Sequence, residues 1–325
     1  MNDERGTVMN QQKIAVNVSR IEQISPNIKM FEFVAQEGAL MPFSAGSHIT
    51  VHMGEQAGLQ RAYSLISDPQ QCGSYCISVL RDENSKGGSA FMHEQLSPGD
   101  SLYLSPAQNF FSLAPDNQCK HILIAGGIGI TPFLSYLYEL EENGMDFELH
   151  YCFRDSTTAA FLEHLQQRIG SRLFLYDGSQ GQRMSVEQLV KAQGSNSHLY
   201  VCGPQSLINE VIEKGHQHLG ESQVHFENFG EVASEGDSFE VYFQRSGFSL
   251  EVGKDESILQ VIEADKRINV ECLCRNGVCG TCETAILEGE ADHRDHYLDD
   301  DEKAEQKTMM LCVSRAKSKR LVLDL

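Results

Sequence analysis

The sequence predicts a chain of several domains: an antiparallel β-barrel, then an α/β domain with a parallel sheet, then a small domain built around cysteines. Three observations carry this. Residues 12 to about 115 show short alternating apolar segments bounded by turn residues, the texture of an antiparallel barrel. From about residue 120, apolar strands alternate with helical stretches, which implies a parallel sheet. Cys272, Cys274, Cys279, Cys282 and Cys312 crowd the end of a chain whose other five cysteines are scattered.

The 325 residues suffice for roughly two to three domains at about 100–200 residues each. A composition of 41% hydrophobic and 22% charged residues excludes a disordered or fibrous chain. No apolar run approaches the ~20 residues of a membrane helix. The polar start MNDERGTVMN lacks the apolar core of a signal peptide. A cytoplasmic location is therefore expected, where clustered cysteines bind metal rather than pair as disulfides. A net charge of −20 disfavours nucleic acid and anionic membranes, and neither is expected as a partner.

In the first domain (1–115), strands are predicted at 14–18, 30–34, 48–51, 76–80 and 101–104, with turns at Ser44-Ala45-Gly46 and Pro98-Gly99-Asp100. Arg61-Ala62-Tyr63-Ser64 falls between two predicted strands. An arginine for a phosphate, an aromatic face and a hydroxyl suit a bound flavin; an ordinary strand is the alternative. Gly87-Gly88-Ser89 opens a helical pattern over 90–96. Free amides and a serine hydroxyl at a helix start suit a phosphate, and a plain cap remains the alternative.

In the second domain (116–230), strand 121–125 runs into Gly126-Gly127-Ile128-Gly129-Ile130-Thr131-Pro132. Thr131 suits an N-cap and Pro132 the first helical position, and the glycines allow a pyrophosphate to approach. A helix over 132–142 ends at Asn143-Gly144, followed by strand 147–153, helix 159–168, strand 173–176, helix 186–192, strand 198–202 and helix 205–218. Cys202-Gly203-Pro204 ends a strand of the same sheet, so it and the glycine turn can face one ligand. Asp177, after strand 173–176, can accept hydrogen bonds from a ribose and disfavour the extra phosphate of NADPH; a simple turn at Asp177-Gly178 is the alternative.

Residues 231–238 are polar and acidic and are read as a linker. The last domain (239–325) starts with strands at 239–244 and 249–252 and a helix over 258–264. Four residues separate Cys274 from Cys279, two separate Cys279 from Cys282, and 29 separate Cys282 from Cys312. This is the plant-type [2Fe–2S] spacing, with three thiolates on one loop and the fourth on a distant segment. Gly277 and Gly280 let that loop curl. A zinc site would show a second C-x2-C pair, and His293 and His296 lack the arrangement of a Rieske centre. Cys272 is read as a small packed residue beside the loop.

Taken in order, Arg61–Ser64, Gly87–Ser89, Gly126–Pro132, Cys202–Pro204 and the four cysteines resemble the phthalate dioxygenase reductase family, over nearly the whole chain. The tail, 271–295 and 314–325, is similar to the carnitine monooxygenase reductase branch, and less so to vanillate demethylase reductases. The resemblance implies a flavin barrel, a nucleotide domain and a β-grasp plant-type ferredoxin domain. It implies electron flow from NADH to FMN, to a [2Fe–2S] cluster, and on to a Rieske-type terminal oxygenase. The glycine-serine motif is of the kind seen with FMN. Residue by residue, Arg61, Ala62, Tyr63, Ser64 and Val79 would line the flavin, and Ser64 would sit near its reactive nitrogen. Gly87, Gly88 and Ser89 would hold the phosphate. Gly126, Gly127, Gly129, Thr131, Pro132, Asp177, Cys202, Gly203 and Pro204 would bind the nucleotide. Ser64, Thr131 and Cys202 are the residues expected at the hydride-transfer point, with Glu227 and Phe229 packing near the flavin. A self-contained NADH oxidase, or an iron–sulfur redox sensor, is the competing reading.

Overall fold

The computed structural model describes residues 13–54, 59–83, 87–115, 118–230 and 235–325. They fall into two compact units, the first ending at Phe229 and the second running from Gly230 to Leu325.

The first unit opens with β1 (Ile14–Ser25), β2 (Ile28–Ala35), β3 (His48–Met53), β4 (Leu59–Ser64), β5 (Tyr75–Leu80), α1 (Gly88–Glu94) and β6 (Ser101–Leu104). The strands form one antiparallel sheet in the order β4-β3-β6-β1-β2-β5. A bridge from Leu65 to Ile77 and a 2.9 Å bond from Ile66 N to the Cys76 carbonyl join its two edges into a barrel. Alternate residues such as Val16, Val18, Phe31, Phe33, Ile49 and Val51 fill the interior, as the two-residue period of a strand requires. β1 continues past the expected stretch because register shifts between Val18 and Arg20 and between Gln23 and Ser25 interrupt the alternation that marks a strand in sequence.

Next come β7 (Lys120–Gly126), α2 (Thr131–Glu142), β8 (Asp146–Phe153), α3 (Leu162–Ile169), β9 (Leu173–Asp177), α4 (Val186–Lys191), β10 (Ser197–Cys202), α5 (Gln205–His218) and β11 (Val224–Glu227). The sheet is parallel throughout, in the order β11-β10-β7-β8-β9. α3 starts later than expected. The Ala160 amide is taken by the Tyr151 hydroxyl at 2.8 Å, and Phe161 sits at φ 60°, outside helical geometry. β11 was not expected, because VHFE is short and half polar.

The barrel and the parallel sheet share one core within the first unit. Ile28, Ala45, Ile66 and Phe111 pack with Phe133, Leu134, Tyr136 and Leu137 of α2. The Gly46 amide donates to Ser135 Oγ at 3.0 Å, and the Tyr136 hydroxyl donates to the Phe111 carbonyl at 2.6 Å. Gly46 has φ +86°, and a Cβ there would lie 1.9 Å from the Phe111 oxygen, so only glycine allows this approach.

The second unit comprises β12 (Phe239–Phe243), β13 (Phe248–Val252), α6 (Ile258–Asp265), β14 (Glu283–Glu288), β15 (Ala291–Asp292), α7 (Asp300–Glu305), β16 (Thr308–Met310), β17 (Arg315–Ala316) and β18 (Arg320–Leu323). The main sheet is mixed, β13-β12-β18-β14-β16, with β12 and β18 parallel. It wraps α6, whose Ile258, Leu259 and Ile262 are buried with Phe239, Val241, Leu321 and Leu323. Ser257 and Gln260 close a capping box at the start of α6.

Of the expected linker, 231–234 lies outside the described residues. The rest is not free chain. The Gly236 amide donates to the Lys254 carbonyl at 3.0 Å, and Arg315 Nη2 donates to the Asp237 carbonyl at 2.9 Å. Among the described residues, no helix is long and apolar enough to cross a membrane.

Candidate functional site

Arg61–Ser64, expected between strands, forms the last four residues of β4, paired with Val51 to His48 of β3. The strand period puts Arg61 and Tyr63 on one face. Burial pushes the Tyr63 hydroxyl up to about 12, partly offset by the Arg61 charge. α1 begins on top of Arg61: a Cβ on Gly88 would meet Arg61 Cγ at 2.7 Å. Gly87 precedes it at φ +108°, a conformation that favours glycine. A guanidinium therefore lies against the first turn of a helix, a donor set suited to a phosphate. The helix starts at Gly88, earlier than expected, and Ser89 Oγ accepts the Asp82 amide at 3.2 Å. Val79 is 1% exposed inside the barrel, and its carbonyl accepts from His93 Nε2 at 2.8 Å. It builds the wall behind this site.

β7 and β10 are neighbours whose crossovers run to opposite sides of the sheet, the switch point where parallel sheets bind ligands. The glycines there divide into two kinds. A Cβ on Gly126 would lie 2.5 Å from Pro204 Cδ, and one on Gly129 2.2 Å from the Cys202 carbonyl oxygen. On Gly203 it would lie 2.8 Å from Gly126 Cα. These three let the ends of β7 and β10 close on each other. Gly127, at φ +55°, has nothing within 4 Å of its Cβ position and is the one open to a ligand. Thr131 is not the cap expected. A 3-10 turn, Gly127–Ile130, leads directly into α2, so Ile130 is the N-cap, Thr131 the first helical residue and Pro132 the second. The Thr131 hydroxyl, 2% exposed, donates to the Ile128 carbonyl at 3.0 Å.

Asp177 ends β9 and caps the following 3-10 turn, its Oδ1 accepting from the Ser179 amide at 2.9 Å and hydroxyl at 2.6 Å. The turn alternative is what these bonds describe, at the carboxyl end of the sheet.

The barrel and the sheet meet at Ser64. Its hydroxyl donates to Glu227 Oε2 at 3.4 Å, and Glu227 is the register partner of Cys202 in the β10–β11 pair. Burial pushes the Glu227 carboxyl up to about 8, the Ser64 bond pulling the other way. Burial, then the Glu227 charge, raises the fully buried Cys202 thiol well above its usual range. A thiol held protonated is no nucleophile. Phe229 closes the first unit and is 44% exposed.

In the second unit, β14 pairs with β16, placing Glu283 opposite Met310, and the Leu311 amide donates to the Cys282 carbonyl at 3.3 Å. Cys282 and Cys312 are thus brought together by a sheet register from 30 residues apart. Cys274 and Cys279 sit on a loop that turns through Arg275 (φ 58°), Gly277 (φ 69°) and Gly280 (φ 74°). A Cβ on Gly277 would strike Val313 at 2.6 Å and one on Gly280 the Tyr297 ring at 2.4 Å. The thiols of Cys274, Cys279, Cys282 and Cys312 converge: Cys274 interacts with Cys279 and Cys312, and Cys282 with Cys272 and Cys312. Three thiols from one loop and a fourth from a distant segment are the donor set of a plant-type [2Fe–2S] cluster, and these residues fit it. Cys272 does more than pack. Its sulfur, with those of Cys282 and Cys312, forms a group mutually within 4.8 Å.

Sequence reasoning missed the scaffold behind this loop. Asp295, 3% exposed, accepts from the Leu298 amide at 2.9 Å and from Ser314 Oγ at 3.2 Å. The His296 amide donates to the Gly277 carbonyl at 3.0 Å. Arg315, 1% exposed, donates to the carbonyls of Glu256, Asp237 and Gly253. A buried charge in a run such as SRAKSKR has no local signal, since it is set by carbonyls distant in sequence.

Residues 15–110 match an oxidoreductase FAD-binding domain, 123–213 an oxidoreductase NAD-binding domain, and 241–317 a 2Fe-2S iron-sulfur cluster binding domain. The carnitine monooxygenase reductase subunit of Acinetobacter baumannii is 49% identical over 95% of this chain and 96% of its own. The heme-dependent oxidative N-demethylase beta subunit of Ectopseudomonas mendocina is 42% identical over 95% and 98%. The solved structure of phthalate dioxygenase reductase, a modular structure for electron transfer from pyridine nucleotides to [2Fe–2S], is 37% identical with a TM-score of 0.75. That similarity covers 96% of this chain and 98% of the other. Similarity at this level along both whole chains, with the flavin, nucleotide and cluster modules in the same order, means that the chain belongs to the phthalate dioxygenase reductase family of oxidoreductases.

Proposed function

We propose that the chain is the reductase component of a two-component Rieske oxygenase, taking electrons from NADH through FMN and [2Fe–2S] to a carnitine-cleaving partner that yields trimethylamine and malic semialdehyde. In this reading residues 1–115 hold FMN, 116–230 hold NADH and 239–325 hold the cluster, in the cytoplasm. The observation that carries electron transfer is the Ser64–Glu227–Cys202 junction, where the barrel meets the sheet's switch point. The carnitine assignment is supported by the 49% identical relative.

Bound flavin supplies the conversion of a two-electron hydride into the single electrons that a [2Fe–2S] cluster accepts. The chain supplies placement. Arg61 and the first turn of α1 offer charge and amides for the FMN phosphate, which needs no adenylate site. Tyr63 offers an aromatic face and Ser64 a hydroxyl. Gly127 leaves room for a pyrophosphate at the start of α2, whose dipole favours the charge. Glu227 keeps its proton near neutral pH, and Cys202 stays an uncharged thiol, so the hydride meets no fixed charge or competing nucleophile. Cys274, Cys279, Cys282 and Cys312 would hold the cluster.

The 42% identical subunit of a heme-dependent demethylase favours a second reading, in which the electron acceptor is a heme protein. Pairing the purified chain with a carnitine Rieske oxygenase and with a heme N-demethylase catalytic subunit, under NADH, separates the two. Trimethylamine release with the first alone is expected. Turnover only with the heme partner contradicts the proposal. Extracting the flavin should give FMN; FAD would overturn that assignment.

A further inference from the structure

One close sulfur group in the second unit is not drawn from the four expected ligands alone. Cys272 joins Cys282 and Cys312 with all three sulfurs within 4.8 Å of one another, whereas Cys274 and Cys279 lie outside that group. Cys272 therefore stands within reach of both Cys282 and Cys312. Among the described residues, no carboxylate or imidazole belongs to the group.

The backbone around Cys272 is irregular. Residues 269–281 contain no helix or strand, only bends and turns, and Cys272 is half-buried against the edge of the core with Ile268 and Val270. Cys282 and Cys312, by contrast, flank the paired strands β14 and β16 and are held by them. Shifting a sulfur by a few ångströms on an irregular loop disturbs few backbone bonds.

Resting on the ligand set proposed above, we infer that Cys272 is a reserve cluster ligand. It stands beside the Cys282–Cys312 pair and takes the coordination position of either when that sulfur is lost. In the exchange Cys272 gives its thiol proton to solvent, and its sulfur forms an iron bond where the departing sulfur's bond has broken. No electrons are transferred. Cys274 and Cys279 lie outside the Cys272 group, so their loss would not be compensated in the same way.

The test uses the full chain reconstituted anaerobically with iron and sulfide. Iron and acid-labile sulfide are counted per chain, and the EPR signal is recorded after dithionite reduction. Cys282→Ala and Cys312→Ala should each retain at least about fivefold more cluster than Cys279→Ala. Adding Cys272→Ser to either should remove it, and the EPR of the single variants should differ from wild type because one sulfur ligand has changed. Cys272→Ser alone should load as wild type does. The inference is overturned if Cys282→Ala and Cys312→Ala are both as empty as Cys279→Ala. It is overturned equally if the cluster they retain survives Cys272→Ser, or if Cys272→Ser alone loses it. A wild type that binds zinc without sulfide would instead remove the cluster reading itself.

Discussion

The Ser64 hydroxyl donates a 3.4 Å hydrogen bond to Glu227 Oε2, tying the end of a barrel strand to the end of a parallel strand 163 residues later. That one bond places a half-buried carboxyl where the barrel and the parallel sheet meet, and it makes the junction sensitive to pH.

Glu227 keeps its proton in the folded chain up to about 8, while in the unfolded chain it ionises near 4.5. Below the lower value both states are protonated. Between the two only the folded state binds the proton, so stability falls as pH rises, by at most about 1.4 kcal/mol per pH unit. Above 8 the loss levels off. Glu227→Gln, neutral throughout, should match wild type in urea unfolding at low pH and exceed it increasingly toward pH 8. A stability difference that stays constant or narrows with pH contradicts the buried-carboxyl account.

Removing the Ser64 hydroxyl leaves Glu227 without its donor. Ser64→Ala should slow flavin reduction by NADH roughly tenfold, a barrier change of ~1.4 kcal/mol. Stopped-flow bleaching of the flavin at saturating NADH reads this directly. An unchanged rate removes Ser64 from the hydride-transfer step.

How much of this was legible beforehand depends on the range over which each signal acts. The cysteine spacing and the strand–helix alternation are local, so the loop from Cys274 to Cys282 and helix α5 could be read from sequence. The roles of the glycines could not be resolved. Gly126, Gly129 and Gly203 answer to contacts between strand ends some 75 residues apart, whereas Gly127 alone is free for a ligand. Thr131 and Pro132 gave a sound helix start, one residue out, because the preceding 3-10 turn has no composition of its own. The shared core of barrel and sheet depends on long-range pairs such as Gly46 with Phe111, which no periodicity reveals.

Asp177 spends one carboxylate oxygen on Ser179. On the proposed reading, its carboxylate at the carboxyl end of β9 would disfavour a 2′-phosphate. kcat/KM should favour NADH over NADPH by at least about tenfold, or ~1.4 kcal/mol, and Asp177→Asn should narrow that gap. Equal use of both nucleotides by the wild type removes this role.

Residues 235–325 carry 20 acidic and 12 basic side chains, a net of −8. Charge-guided docking of this unit requires electron transfer to the oxygenase to slow as salt rises from about 20 to about 500 mM, because screening shortens to roughly 8 Å at physiological ionic strength. Flavin reduction by NADH should not change in parallel. A transfer rate that is flat or rises with salt shows that apolar contacts dominate docking.

The central claim is that electrons leave NADH through the flavin and reach the partner only by way of the four-cysteine cluster. The most direct measurement is oxygenase turnover with Cys279→Ser alongside stopped-flow reduction of the same variant. The account predicts that NADH still bleaches the flavin at close to the wild-type rate while oxygenase turnover falls below roughly 1% of wild type, the loss of a whole electron-transfer step. Oxygenase turnover that persists in a variant shown by iron and sulfide analysis to lack its cluster would contradict it.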